Sequence, residues 1–125
     1  MAAGAVLYAR DVDRLARFYS DAFELPESQR DEKFIVLESA AFQLVVLRAH
    51  PAVLDMNPMS DPPARRSNVA FKPVFFVGSI AAVRSLCEKN GGVMNAASKE
   101  WEFEGWRVCD GVDPEGNVIQ VRERL

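Results

Sequence analysis

Between Asp11 and Leu25 the apolar residues Val12, Leu15, Phe18, Tyr19, Ala22 and Phe23 recur every three or four positions. That spacing gathers them on one stripe and predicts a helix. Asp11 is a good N-cap, Asp13 suits the positive end of the helix dipole, and Pro26 stops the run. A second stripe of Ile80, Val83, Leu86 and Cys87 predicts a helix over 79–92, capped by Ser79 and ended at Asn90-Gly91.

Elsewhere the pattern is that of strands. Short apolar or alternating runs occupy 5–9, 33–38, 42–47, 72–77, 93–97, 102–110 and 117–123, with a weaker one near Glu27–Arg30. Ser39-Ala40-Ala41 joins two of them, and "DPEGN", 113–117, carries the turn residues that set the register of the last. In that last strand Ile119 and Val121 face one way, and Val118, Gln120 and Arg122 the other. An amide in mid-strand therefore needs an explanation. Gly105 interrupts the alternation of 102–110 and reads as a bulge, which leaves open whether Trp101 or Trp106 turns inward. The stretch 50–68 has four prolines and no periodicity, and reads as a linker or loop.

The two halves repeat. A shift of 68 residues lays Leu7-Tyr8-Ala9 on Phe75-Phe76-Val77, Asp11 on Ser79, Val12 on Ile80, Leu15 on Val83 and Phe18 on Leu86. Strand, cap and stripe coincide. Each half is one strand, one helix and about three strands, a βαβββ module that needs its twin to bury its face. The expected organisation is α+β: module one over about 1–49, a Pro-rich linker over about 50–67, and module two over about 68–125.

Composition narrows the function classes. With 125 residues the chain is long enough for a core that needs no disulfide or metal to fold. Net charge is −3 and the basic residues are scattered, which argues against nucleic acid as a partner. No apolar run is long enough to span a membrane, and the N-terminal run lacks a basic flank. Two cysteines without C-x-x-C spacing fit reduced thiols, hence a cytoplasmic protein.

The module order, with "ARDVDRLARFY", "GSIAAVRSLCEKNGG" and "DPEGNVIQV", resembles the vicinal oxygen chelate (VOC) superfamily, which holds glyoxalase I, bleomycin-resistance proteins and extradiol dioxygenases. The resemblance implies paired modules with curved mixed sheets enclosing a cavity, and a homodimer. It also gives Gln120 a meaning. Metal-using members begin the first strand of each module with histidine and place a carboxylate on the last. Carried over, those positions fall at Gly4, Lys72 and Gln120, with Gln43 as a further candidate. Glycine offers no ligand, an amide is a weak one, and an ammonium repels a divalent ion. His50, the only histidine, lies at the start of the linker. The usual metal centre is therefore not expected, and no cofactor is called for.

A cavity can outlive its metal. On this parity Val6 and Tyr8 line it beside Gly4, Val74 and Phe76 beside Lys72, and Val118 and Arg122 beside Gln120. The expected ligand-binding residues are Tyr8, Lys72, Phe76, Trp106, Gln120 and Arg122, which suit a flat or amphipathic small molecule bearing an anion. Lys72 must reach water, pair with a carboxylate such as Glu102 or Glu104, or meet an anionic ligand. The duller readings are core packing for Tyr8 and Phe76, a dimer contact for Trp101 and Trp106, and surface charge for Arg122. Three functions follow: a metal-independent small-molecule binder, a lyase, isomerase or dioxygenase with a non-standard site, or an interaction module whose cavity has closed.

Overall fold

The computed structural model describes residues 1–54 and 60–125. Positions 55–59 of the Pro-rich stretch lie outside the described residues. The chain divides into two compact units, Met1–Met59 and Ser60–Leu125.

In the first unit, β1 (Ala3–Ala9) leads into α1 (Val12–Phe23), followed by β2 (Glu27–Arg30), β3 (Phe34–Glu38) and β4 (Phe42–Arg48). The sheet order is β1-β4-β3-β2. β1 and β4 run parallel; β3 is antiparallel to both β4 and β2. Asp11 Oδ1 accepts from the Arg14 amide at 3.1 Å, as its N-cap role requires. At the other end Glu24 takes a left-handed conformation and its amide closes on Ser20, so the helix stops before Pro26 acts. Leu15, Phe18, Tyr19 and Ala22 are buried, as are Ile35, Leu37, Leu44 and Val46 on the helix-facing side of the sheet. The other side carries Val6 and Tyr8, both more than half exposed. A helical turn, α2 (Pro51–Leu54), follows β4, and His50 Nδ1 accepts from the Ala52 amide at 3.2 Å.

The second unit repeats the scheme. β5 (Val74–Val77) runs into α3 (Ile80–Lys89), then β6 (Val93–Met94), β7 (Trp101–Phe103), β8 (Trp106–Val112) and β9 (Val118–Arg124). The order is β5-β9-β8-β6, and β7 also pairs with β8. As in the first unit, the opening strand lies parallel to the closing one. Ser79 caps α3 through the Ala82 amide, and Ile80, Val83 and Cys87 are buried with Cys109, Ile119 and Val121. No described helix is long and apolar enough to cross a membrane.

Two expectations are corrected here. The strand at 93–97 has only two paired residues, and a 3-10 turn over Ala97–Lys99 takes its place. The run 102–110 is two strands, not one bulged strand. Glu104 and Gly105 have φ of 47° and 86°, the pair of positive values that a tight type I′ turn demands, so β7 folds back on β8.

Candidate functional site

The mid-strand amide lies in the second unit, and the "DPEGN" turn decides what faces it. Asp113 is fully buried. Its Oδ1 accepts from the amides of Glu115 (2.8 Å) and Asn117 (3.0 Å), and its Oδ2 from Asn117 Nδ2 (2.7 Å). Gly116 sits at φ 81°, and a side chain there would run into the Ala64 carbonyl. The Arg66 amide donates to Gly116 O at 3.0 Å, so segment 64–66 lies over the turn. The turn holds the hairpin in one register, in which residues equidistant from Glu115 pair: Val112 with Val118, and Asp110 with Gln120.

Asp110 is the residue that sequence reasoning missed. It is 8% exposed and Gln120 is 5% exposed. Gln120 Nε2 donates to Asp110 Oδ1 at 3.0 Å, and Lys72 Nζ donates to Asp110 Oδ2 at 2.7 Å. The Arg122 Nε donates to Gln120 Oε1 at 2.8 Å, and an Arg65 guanidinium nitrogen stands 3.9 Å from Asp110 Oδ2. The result is a chain, Lys72–Asp110–Gln120–Arg122, on one face of the sheet. Lys72 precedes β5 rather than lying in it, but the Gln120 amide reaches the Pro73 carbonyl at 3.0 Å and so extends the pairing past the strand. Lys72 does pair with a carboxylate, but not with Glu102 or Glu104. Glu102 pairs across the ladder with Arg107, whose parity places it on the opposite face from Asp110. Glu104 is in the turn.

Aromatic residues surround this chain. Phe76 is opposite Arg122, and its ring centroid is 4.9 Å from that of Trp106, edge to face. Trp101 pairs with Val108, and Phe103 with Trp106. Both tryptophans therefore share the face with Asp110, and the choice between them was a false one. The Arg122 guanidinium carbon lies 5.2 Å from the Phe103 ring centre, and that of Arg124 lies 4.9 Å from the Trp106 ring centre. Phe76, Trp101 and Phe103 are exposed at 63%, 41% and 49%. Of the expected ligand contacts, the structure thus brings together Lys72, Phe76, Trp106, Gln120 and Arg122. Tyr8 belongs to the first unit, on the open side of its sheet beside Val6.

The remaining positions of the implied metal set also lie in the first unit. Gly4 is opposite Gln43, and a Cβ at position 4 would stand 2.8 Å from the Gln43 carbonyl oxygen, so any larger residue needs the backbone to shift. Gln43 Nε2 donates to Glu38 Oε2 at 2.9 Å. Among the described residues no group of three or more His, Cys, Asp or Glu is placed to hold a metal ion.

The opposite face of β8 carries a second polar cluster. Arg84 pairs with Glu100 and donates to Asn95 O (3.2 Å), and Cys109 Sγ donates to the same carbonyl at 3.4 Å. The Glu100 hydrogen bond raises the Arg84 pKa above its ordinary value. Burial pushes the Cys109 thiol up despite Arg84 beside it, so it stays protonated and inert as a nucleophile at neutral pH.

No protein-family model matches the sequence, and neither does any curated protein. Solved structures do match. A glyoxalase/bleomycin resistance protein/dioxygenase family enzyme from Burkholderia phytofirmans PsJN superimposes with a TM-score of 0.74 at 19% identity, covering 98% of this chain and 97% of its own. The chain has the glyoxalase/bleomycin-resistance/dioxygenase fold. A bleomycin resistance determinant encoded on the transposon Tn5 gives a TM-score of 0.64 at 20% identity, with 99% and 98% coverage. A fosfomycin resistance protein, FosX, from Listeria monocytogenes gives 0.67 at 13% identity, with 98% and 91% coverage. These proteins share the architecture expected from the repeat, two βαβββ units with mixed sheets.

Proposed function

We propose that this chain is a VOC-superfamily protein that binds a small planar organic anion on the aromatic face of the second sheet, without a metal centre. The observation that supports this most directly is the Lys72–Asp110–Gln120–Arg122 chain, set among exposed aromatic rings. An arginine resting on an aromatic ring beside more open rings suits a ligand that is flat at one end and negative at the other.

The donor set does not fit a divalent metal. Asp110 supplies the one carboxylate, and its two oxygens are engaged by the Lys72 ammonium and the Gln120 amide. The Gln120 oxygen is engaged by Arg122. A divalent ion would have to displace a cation already in contact with its best ligand, against a repulsion of several kcal/mol at an effective dielectric near 20.

Thermal-shift screening tests the reading, with naphthalene-2-carboxylate as probe and 2-naphthamide as its neutral counterpart. Saturable stabilisation by the acid, absent with the amide, is the expected result. No saturable response to any aromatic acid, or a stoichiometric divalent metal in protein purified without a tag, overturns it.

A further inference from the structure

The face has more than one cation, and they are not equivalent. Lys72 stands 2.7 Å from Asp110, so its charge is balanced. Arg65, at 3.9 Å, shares the same carboxylate, and Arg124 is exposed at the end of β9 with its guanidinium over Trp106. Arg122 has a different partner, the neutral amide oxygen of Gln120. Among the described residues no carboxylate pairs with Arg122. It is half-buried, and its Nε is held by Gln120 while its flat side lies on Phe103. That leaves the two terminal nitrogens as donors along one edge, in the fork that matches a carboxylate or sulfonate.

Asp110 determines why the amide faces this way. A carboxylate accepts hydrogen bonds and does not donate, so it takes the NH2 end of Gln120 and turns the carbonyl end toward Arg122. One buried negative charge thus neutralises Lys72 and, through a neutral relay, fixes Arg122 with its charge unspent. We infer that Arg122, oriented by Asp110 through Gln120, is the anion anchor of this face, that Lys72 is the counter-ion of Asp110, and that the ligand is an aromatic monoacid. Its charged group meets the edge of Arg122 and its ring lies against Phe76 and Phe103. This rests on the proposed binding function and names the residue that decides its charge specificity.

The test is a set of dissociation constants for naphthalene-2-carboxylate, read by tryptophan fluorescence, with thermal unfolding to confirm that each variant folds. Arg122→Gln is expected to weaken binding about 10- to 100-fold, the range for losing a charge-assisted pair. Arg122→Lys keeps the charge but not the fork and is expected to recover only part of that loss. Lys72→Met is expected to weaken binding by about threefold, through the bared Asp110 charge. Arg107→Gln makes the same charge change on the opposite face of the sheet and is expected to stay within about twofold of wild type. A larger loss in Lys72→Met than in Arg122→Gln, or full affinity in Arg122→Gln, overturns the assignment and leaves the binding function standing. A wild-type protein that does not bind the acid at all overturns both.

Discussion

Removing the Asp110 charge isolates the central interaction of the site. Lys72 Nζ and Asp110 Oδ2 are 2.7 Å apart, which gives a gross attraction of about 6 kcal/mol at an effective dielectric near 20. Most of that is offset. The Lys72 side chain is 36% exposed and that of Asp110 11%, so water screens one partner while burial penalises the other. The net coupling should be about 1–2 kcal/mol, above an exposed pair and below a fully buried one. Asp110→Asn alone should cost about 2–3 kcal/mol, because the Lys72 ammonium loses its charged acceptor and Arg65 its nearby anion. The assay is a double-mutant cycle, Lys72→Met against Asp110→Asn, by urea unfolding. With a slope near 1–1.5 kcal/mol per molar, Asp110→Asn should lower the midpoint by about 1.3–3 M. The double variant should be less damaged than the two singles summed. Additivity within about 0.5 kcal/mol would mean that the pair does not form in solution, and the charge balance assigned to Lys72 would fall with it.

Asp113→Ala removes a buried carboxylate that accepts from two backbone amides and a side-chain amide, so it should cost about 3 kcal/mol and lower Tm by about 10 °C. Asp113→Asn keeps one oxygen for the amides and should lose about half as much by the same measurement; an alanine variant within about 2 °C of wild type refutes the role. Burial raises the Cys87 thiol to about 12 from its ordinary 9.0, so the folded chain keeps a proton that the unfolded chain loses between those values. The thiol's contribution is therefore intact below pH 9 and declines toward pH 12 at up to about 1.4 kcal/mol per pH unit. Urea unfolding at pH 8 and pH 10.5 should show that Cys87→Ala reduces the alkaline loss; an identical loss in both proteins refutes it.

Local chemistry made much of the fold legible. Asp11 and Ser79 announce their helices because the carboxylate and hydroxyl are needed where backbone amides lack partners, and the structure uses both in that way. The β7–β8 hairpin was hidden because Glu104 adopts a positive φ that its residue type does not advertise. Reading 102–110 as one strand also concealed that Trp101 and Trp106 share a face, since each side of a tight turn restarts the alternation. Asp110 escaped for a different reason. It is the last residue of the expected strand, ten positions from Gln120 in the chain, and only the hairpin's symmetry about Glu115 joins them. The signal was available in the turn motif, which sets pairing distances on both sides. By contrast, the partition of charge among Lys72, Arg65 and Arg122 has no sequence signature, because it depends on distances between side chains on different strands.

The way segment 64–66 clasps the Gly116 turn changes where the second half of the molecule begins. The internal repeat would place a cut near Asn68, after the last proline of the linker. Yet Arg66 is fastened to Gly116, the Ala64 carbonyl occupies the space that only glycine leaves open, and Arg65 leans toward Asp110. Those three residues belong to the C-terminal body as much as its own strands do. A fragment started at the repeat boundary would lose the brace on its tightest bend, whereas one started at Ser60 would carry its own fastening.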